Sequence, residues 1–323
     1  MGRHSLLVRQ LWVTVSLTIA AAAAWADTPP SLLQILPERF NQASQIVESP
    51  DGRVFVADSY NNRIVILSAS GATLGQFSAA GPAAGTLRVP AGLVFDLAGN
   101  LYVADQFNHR IVKYSFAQAP LMTFGSLGSG PGELTYPTNM AISPDGTRLY
   151  VTELGNDRVS MFDTNGNFLG SFGGSGAGPG QFDHPWGMVV DQAGRVYVGD
   201  QLNHRIEVFS ATGAFQSQFG SFGSLPGQFH NPVGMNFDAV GNLYVCDQLN
   251  NRVQKLTHDG APLTEWGTYG SGPNNFYNPW CVLAHSDGRI WVSDTYNFEM
   301  KIFGFQPTPA KRASWGQVKA RFR

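Results

Sequence analysis

The residues of this chain that suit metal or acid–base chemistry are histidines and carboxylates that stand just before prolines. His184 follows Asp183 directly and precedes Pro185, and His230 stands two residues before Pro232. Imidazole nitrogens and carboxylate oxygens are ligands of zinc, and carboxylates also suit calcium. The candidate metal ligands are therefore Asp183, His184 and His230, with zinc or calcium as the ion. Exposed or hydrogen-bonded histidines are the more common case, so we expect no cofactor.

A second pattern of charged and polar residues repeats along the chain, which changes its interpretation. An acidic residue is followed three positions later by Asn and five positions later by Arg, as in Asp200, Asn203 and Arg205. A catalytic site is normally single, so we expect a structural role for a pattern that returns every 47 or 48 residues. In that role the acid caps turn amides, Asn takes left-handed backbone and Arg pairs with a carboxylate. The acidic positions are Asp58, Asp105, Glu153, Asp200, Asp247 and Asp294.

The period of about 47 residues indicates a repeat architecture in which each unit forms four short strands. In the fourth unit, β-branched and aromatic runs such as Arg195–Val198 and Ile206–Phe209 alternate with turns that contain Gly. Six such units predict an all-β fold, namely a six-bladed β-propeller with four antiparallel strands per blade. We expect the N-terminal segment Leu32–Leu36 to complete the last blade. The competing candidate is Ala313–Gly316.

These units resemble NHL repeats, with a proline-led inner strand, a Tyr-Val second strand, an Asn-x-Arg turn and a closing Phe-Gly. The resemblance covers residues 32–305 in six units, although Glu299 replaces the Arg of the last turn. It implies a propeller that serves as a platform for proteins or RNA or, in some members, for catalysis. Fold alone does not choose among these functions. In the fourth unit the matching segments are Pro185–Met188, Tyr197–Asp200, Asn203–Ile206 and Phe219–Gly220.

The resemblance also bears on one enzymatic alternative, the peptidyl-amidating lyases, which are six-bladed relatives that bind zinc on the propeller axis. In that family the zinc histidines directly follow the proline of the inner strand. None of the six matching residues here is His, which argues against that zinc site. A metal-dependent lyase or lactonase with an axial site is kept as the alternative function. The matching residues are Ser44, Ala91, Thr138, Trp186, Val233 and Trp280.

The same six positions are expected to face the mouth of the central channel, where strand ends converge into a concavity. Trp186 and Trp280 bring aromatic rings there, next to polar side chains. Such a set could hold a peptide turn or the face of a sugar, or it could simply fill the channel. The candidate ligand-binding residues are Gln45, Thr138, Asn139, Trp186 and Trp280 at the mouth, with His184 and His230 on the rim.

Charge argues against nucleic acid as a partner. The chain has 21 basic and 23 acidic side chains, and seven of the basic ones lie in the two termini, which contain no acid. Residues 27–308 therefore carry 14 basic and 23 acidic side chains, a balance of −9 that disfavours the phosphate backbone. Residues 309–323 form a basic tail that could touch an acidic partner or a membrane surface.

Residues 1–26 have the three parts of a secretory signal peptide. Arg3 and Arg9 flank the start, an apolar run extends over Leu11–Ala24, and Ala24-Trp25-Ala26 is a small-x-small cleavage site. We expect cleavage after Ala26, a periplasmic or secreted protein, and no transmembrane segment after cleavage.

Export permits a disulfide bond, and the chain has two cysteines, Cys246 and Cys281. They are either bridged or two buried small apolar residues. Together these features predict an exported NHL-type propeller of residues 27–308. We expect it to act as a binding or scaffold module for a protein, peptide or glycan, held on the face that carries the Asn-x-Arg turns.

Overall fold

Runs of β-branched and aromatic residues between glycine-containing turns form 24 strands in residues 28–78 and 87–305, the part of the chain that the computed structural model describes. Blade one contains β2 (Ala43–Glu48), β3 (Val54–Asp58), β4 (Arg63–Leu67) and β5 (Thr73–Phe77). Blade two contains β6 (Pro90–Phe95), β7 (Leu101–Asp105), β8 (Arg110–Tyr114) and β9 (Pro120–Phe124). Blade three contains β10 (Pro137–Ile142), β11 (Arg148–Glu153), β12 (Arg158–Asp163) and β13 (Phe168–Gly173).

The remaining blades follow the same order. Blade four contains β14 (Pro185–Val190), β15 (Val196–Asp200), β16 (Arg205–Phe209) and β17 (Phe215–Phe219). Blade five contains β18 (Pro232–Phe237), β19 (Leu243–Asp247), β20 (Arg252–Leu256) and β21 (Pro262–Trp266). Blade six contains β22 (Pro279–Ala284), β23 (Arg289–Asp294), β24 (Glu299–Gly304) and the N-terminal β1 (Ser31–Ile35). Short 3-10 turns follow the second strand at Ser59–Asn61, Gln106–Asn108, Gln248–Asn250 and Thr295–Asn297.

Each blade is an antiparallel sheet that runs from an innermost strand at the axis to an outermost strand at the surface. The innermost strands contact one another around a closed ring. The predicted all-β, six-bladed propeller with four strands per blade is thereby confirmed. The turns between second and third strands all lie on one face, called here the upper face. The turns between first and second strands lie on the opposite, lower face.

The ring is closed by the N-terminal strand. In blade six β1 pairs antiparallel with β24, and Ser31 lies opposite Gly304. Just beyond β1, the backbone N–H of Leu36 donates to the carbonyl of Met300 at 2.9 Å. The predicted closure by the segment Leu32–Leu36 is confirmed. The competing segment, Ala313–Gly316, lies outside the described residues.

Apolar side chains are collected between the blades, not in one central core. Six clusters of buried residues are found in the described part of the chain, one at each interface between neighbouring blades. Because a neighbour covers each sheet on either side, the second strand β15 is buried along its whole length. The outermost strand β17 is mostly exposed. This explains why the second strands are almost continuously apolar up to their acidic last residue.

The proline-x-glycine start of the inner strand sets how closely neighbouring blades approach. A Cβ atom on Gly187 would collide with the carbonyl oxygen of Val233 in the next blade. Glycine at this position therefore allows the backbones of two inner strands to touch. Three blades carry a side chain at this position instead, namely Gln45, Asn139 and Cys281.

Cys246 and Cys281 are buried thiols that are not bonded to each other. Of the two arrangements left open by the sequence, the structure has the unbridged one. Burial raises the pKa of both thiols, that of Cys281 to about 12. Thiols of this kind are poor nucleophiles at neutral pH.

The predicted signal peptide, residues 1–26, and the basic tail, residues 309–323, lie outside the described residues, so both stay predictions. Within residues 28–78 and 87–305, no helix is long and apolar enough to cross a membrane.

Candidate functional site

The repeated acid of the second strand organises the upper face through hydrogen bonds. In blade four, one carboxylate oxygen of Asp200 accepts the backbone N–H of Asp183 at 2.7 Å. The other oxygen accepts the side chains of Asn203 at 2.8 Å and Arg205 at 2.9 Å. The same three contacts recur around Asp58, Glu153 and Asp247. The structural interpretation of this pattern is confirmed.

The arginine of the pattern also fastens the glycine-rich loop that precedes each inner strand. The guanidinium of Arg205 donates to the carbonyls of Ala177, Gly178 and Gln181 at 2.8 to 2.9 Å. Arg252 does the same for the loop of blade five. The carbonyl groups of these loops therefore accept hydrogen bonds from an arginine side chain of the same protein. The arginines in blades four and five are thus engaged by carboxylates and carbonyls of the protein.

Blade six keeps this network although Glu299 stands in place of arginine. The ammonium of Lys301, two residues further along β24, lies 2.7 Å from the carboxylate of Asp294. It also donates to the carbonyls of Gly272 at 3.0 Å and Asn275 at 2.7 Å. Lys301 and Asp294 are both fully buried. Lysine therefore replaces the arginine from a neighbouring position on the same strand.

In five of the six blades, the side chain of the residue after the repeated Asn accepts a backbone N–H of the next blade. The Asn itself was expected to take left-handed backbone, and that detail is wrong. The following residue does so instead, with φ of 54° at His109 and 57° at His204. The ring nitrogen Nδ1 of His109 accepts the backbone N–H of Tyr136 at 3.1 Å, and that of His204 accepts Asn231 at 3.2 Å. These histidines are interblade contacts and not free surface groups.

The residues expected at the channel mouth do gather at the axis, but they fill it. The rings of Trp186 and Trp280 meet edge to face at 4.9 Å between centroids, although blade five separates their blades. The amide of Asn139 donates to Gln45 at 3.2 Å across blade two. Thr138 bonds Thr152 at 2.8 Å, and Thr138 and Asn139 are each 1% exposed. Gln45, Thr138 and Asn139 thus make hydrogen bonds inside the protein, and their role in ligand binding stays a prediction.

The rim histidines do not form the expected cluster of Asp183, His184 and His230. Nδ1 of His184 lies 2.7 Å from Asp183, and the backbone N–H of His184 donates to Asp157 at 2.9 Å. Ligand atoms of Asp157, Asp183 and His184 lie within 4.8 Å of one another, a spacing that one metal ion could bridge. His230 packs elsewhere, against His204 and Phe222. Asp157, not His230, is thus the third member of this group in the described residues, and metal binding there stays a prediction.

The upper face carries a ring of exposed apolar residues at the tips of its turns. The residue two positions after the acid is a large apolar one in five of the six blades, and Tyr60 is 55% and Tyr296 53% exposed. Further aromatic residues in the loops extend the ring, and Tyr269, Tyr277 and Tyr296 form a chain with centroids 5.1 and 4.9 Å apart. The turn tips are Tyr60, Phe107, Leu202, Leu249 and Tyr296, and the loop residues are Tyr136, Phe222, Tyr269 and Tyr277. This set is called here the aromatic face.

The aromatic face was not predicted from the sequence, although the sequence contains a signal for it. The residue two positions after the repeated acid is Tyr, Phe or Leu in five units. In the third unit it is Gly155. A variable position that stays apolar in a turn is the pattern that would have found it.

A cavity of about 620 Å³ lies on the lower face, where no site was expected. Turns of blades four to six and Glu48 of blade one surround it. His285 stands at its wall as the first residue of a turn in which the other blades carry Ser or Asp. Its side chain is buried, and its Nε2 atom has no hydrogen-bond partner.

Known proteins share this fold. Among the curated proteins none matches the sequence. A streptogramin B lyase aligns with a TM-score of 0.59 and 18% identity over 84% of this chain and 86% of its own. A catalytically inactive virginiamycin B lyase from Staphylococcus aureus, with quinupristin, aligns at 0.59 and 16% over 84% and 83%. An auxiliary nutrient binding protein from Bacteroides ovatus aligns at 0.63 and 15% over 82% and 70%. At these identities the likeness shows the fold alone.

Fold and repeats together define the class, which is the six-bladed β-propellers. The family model for the NHL repeat matches residues 182–209 and 276–303, which lie in blades four and six. The remaining blades repeat the acid and the Asn three residues after it, and the chain is an NHL-repeat propeller.

Proposed function

We propose that this chain is an exported binding or scaffold module that holds a protein or peptide on its aromatic face. The observation that carries the proposal is the repetition of exposed Tyr, Phe and Leu at the turn tips of five blades. Grouped exposed apolar side chains on one face of a protein are typical of interaction sites. Tyr and Phe are also enriched at the centres of protein interfaces, because they bury much area with few rotatable bonds.

The network beneath the aromatic face supports this proposal because it holds the turn tips rigidly. Each tip stands two residues after a repeated acid. These acids are fully buried and accept two or three hydrogen bonds, as at Asp58 and Asp294. A preformed surface loses less conformational entropy when a partner binds. The acidic body of residues 27–308 favours a partner that is neutral or basic at the contact.

The test compares two pairs of substitutions to serine, each pair removing two exposed large side chains from one of the two faces. Tyr60→Ser with Tyr296→Ser removes two turn tips of the aromatic face. Leu97→Ser with Val240→Ser removes residues of the lower-face turns that are 75% and 73% exposed. Each immobilised protein is incubated with envelope proteins of the producing cell, and retained proteins are quantified by mass spectrometry.

The proposal expects at least one protein that the wild type and the lower-face variant retain equally and the upper-face variant retains at least tenfold less. Equal retention by all three proteins would contradict it, as would a loss confined to the lower-face variant. Release of the retained protein by glycosidase treatment alone would identify a glycan as the bound group in place of polypeptide.

The alternative is a metal-dependent lyase or lactonase, and one observation favours it. Asp157, Asp183 and His184 approach one another closely enough for a shared ion. These residues lie at the rim in blades three and four, and His184 and Asp183 are about half exposed. Zinc or calcium bound in a one-to-one ratio and lost in Asp157→Asn would support this alternative.

A further inference from the structure

The lower-face cavity contains a buried histidine whose surroundings are those of a metal ligand. His285 is 5% exposed, and Nε2 has no hydrogen-bond partner. A buried polar atom without a partner is costly, and native structures contain few of them. On the Nε2 side of the ring lies the carboxylate of Glu48, whose Oε1 is 3.6 Å from Nε2. That separation is too long for a hydrogen bond.

The distance between these two atoms matches two adjacent ligands of one tetrahedral ion. Zinc binds imidazole nitrogen and carboxylate oxygen at about 2.0 to 2.2 Å, which puts two such ligand atoms about 3.3 to 3.6 Å apart. Glu48 comes from blade one and His285 from blade six, so an ion between them would bridge the blades at which the ring closes.

Both side chains are already oriented by neighbours in the way that metal ligands usually are. Nδ1 of His285 lies 3.0 Å from the carboxylate of Asp287, and the ring stacks on Trp291. Nδ1 also lies 3.2 Å from the backbone N–H of Asp287, which donates to it when the ring proton is on Nε2. Metal binding takes the other tautomer, in which Nδ1 carries the proton and faces the carboxylate of Asp287, so that Nε2 presents its lone pair. The carboxylate of Glu48 accepts the backbone N–H of Ser286 at 2.8 Å as well as its hydroxyl. Carboxylates and hydroxyls that hold the ligands in this way raise metal affinity.

The cavity has room and charge for a cation. Asp191 and Asp238 line it together with Glu48, and Arg195 is paired with Asp191 at 2.6 Å. The volume of about 620 Å³ leaves space for water or a small ligand on the open side of an ion.

We propose that Nε2 of His285 and the carboxylate of Glu48 form a site for one divalent transition-metal ion, with zinc as the best match. Asp287 and Ser286 are its positioning residues. The site is separate from the aromatic face, and it does not depend on the function proposed for that face.

The test is a titration of the metal-free mature chain with zinc chloride alone, in which isothermal calorimetry measures the binding. The variants are His285→Ser and Glu48→Gln. Serine occupies the position of His285 in blades one and three, as Ser49 and Ser143, where it forms turn hydrogen bonds. Glutamine keeps the shape of Glu48 and removes its charge. Two controls separate this site from other histidines: His258→Asn, at the exposed edge of the same cavity, and His184→Asn, in the rim cluster of the upper face.

The proposal expects one zinc ion per wild-type chain, at least tenfold weaker binding in Glu48→Gln and no binding at this site in His285→Ser. Asp287→Asn should bind between 10- and 100-fold more weakly, the usual effect of losing a group that orients a ligand. Both controls should bind like the wild type. Absence of zinc binding by the folded wild type would overturn the proposal. So would unchanged binding in Glu48→Gln and His285→Ser, or a loss that occurs only in His184→Asn.

Discussion

At the scale of single residues, buried ion pairs repeat from blade to blade with local exchanges. Blade six replaces the arginine with Lys301, and blade four adds Glu207, whose carboxylate lies 2.9 Å from Arg205. All these groups lose hydration on folding, so each depends on its partner.

Lys301→Met should lower the free energy of unfolding by about 3–5 kcal/mol, because it leaves the buried carboxylate of Asp294 without a cation. Glu299→Arg with Lys301→Val recreates the arrangement of blade one, where Arg63 and Val65 occupy these positions. This double variant should recover most of the loss. Urea unfolding of the three proteins measures both effects, and a double variant as unstable as Lys301→Met would contradict this account.

Glu207→Gln should change how stability depends on pH. Burial raises the pKa of Glu207 to about 7, above its ordinary value of 4.5. The unfolded chain therefore loses this proton first as pH rises, and the wild type is destabilised between about pH 4.5 and 7. The variant lacks that loss, so its stability relative to the wild type should increase from pH 5 to pH 8.

Blade five shows that glutamine fits the position of Glu207. Gln254 occupies the same position in blade five and accepts the N–H of Gly227 at 2.8 Å, as Glu207 accepts that of Gly180. A relative stability that stays flat from pH 5 to pH 8, measured by urea unfolding, would show that Glu207 is ionised throughout.

At the scale of elements, the turns that follow the second strands connect neighbouring blades. Asn62 and Asn251 use a side-chain oxygen to accept a backbone N–H of the next blade, at 2.8 and 3.0 Å. His109 and His204 make the same contact through Nδ1, which requires the neutral ring. Two of the interblade contacts are therefore sensitive to acid.

His109→Asn with His204→Asn should make the propeller more resistant to mild acid. Burial lowers the pKa of both histidines below 6.5, and the charges of Arg88 and His230 lower it further. As pH falls through 6.5 the unfolded chain takes up protons first, so the wild type loses stability. Asn keeps the acceptor and does not titrate. The difference in urea midpoint between variant and wild type should thus favour the variant more at pH 5.5 than at pH 7.5.

The opposite trend, or equal differences at both pH values, would mean that the ring nitrogens are not acceptors in solution. The ring of His230 lies against that of His204, with centroids 5.5 Å apart, so the single variant His109→Asn provides the simpler comparison.

The sequence predicted the elements of this fold well because the signal repeats. Six acids at a spacing of 47 or 48 residues and the proline-led strands determine strand number, blade number and the N-terminal closure. Contacts between side chains of different blades could not be predicted, because they depend on distances across the ring. Nothing local shows that Gln45 bonds Asn139, or that Glu48 and His285 meet, since 94 residues separate the first pair and the second joins opposite ends of the chain.

At the scale of the whole molecule, stability depends on a ring closed by its first strand. Leu36, which directly follows β1, is 4% exposed and belongs to the cluster between blades one and six. That interface joins segments from both ends of the described chain, so its contacts are far apart in sequence. Contacts of this kind are slow to form, and here they close the ring.

Leu36→Ala should therefore cost about 2–5 kcal/mol, the usual cost of truncating a buried leucine. The matched control is Leu33→Ala on β1 itself, where the side chain is half exposed and the cost should stay within about 0.5 kcal/mol. Thermal unfolding of both variants checks the contrast. Similar losses in the two variants would show that β1 and its continuation contribute nothing specific to closure.

The central claim is that the aromatic face binds a protein or peptide partner, and site-specific photo-cross-linking in the producing cell tests it most directly. A photoreactive phenylalanine analogue is placed at Tyr296 on the aromatic face or at Val240 on the lower face. The account predicts a discrete cross-linked protein from position 296 and none of that mass from position 240. Cross-links from position 240 alone, or none from 296 in correctly folded protein, would contradict it.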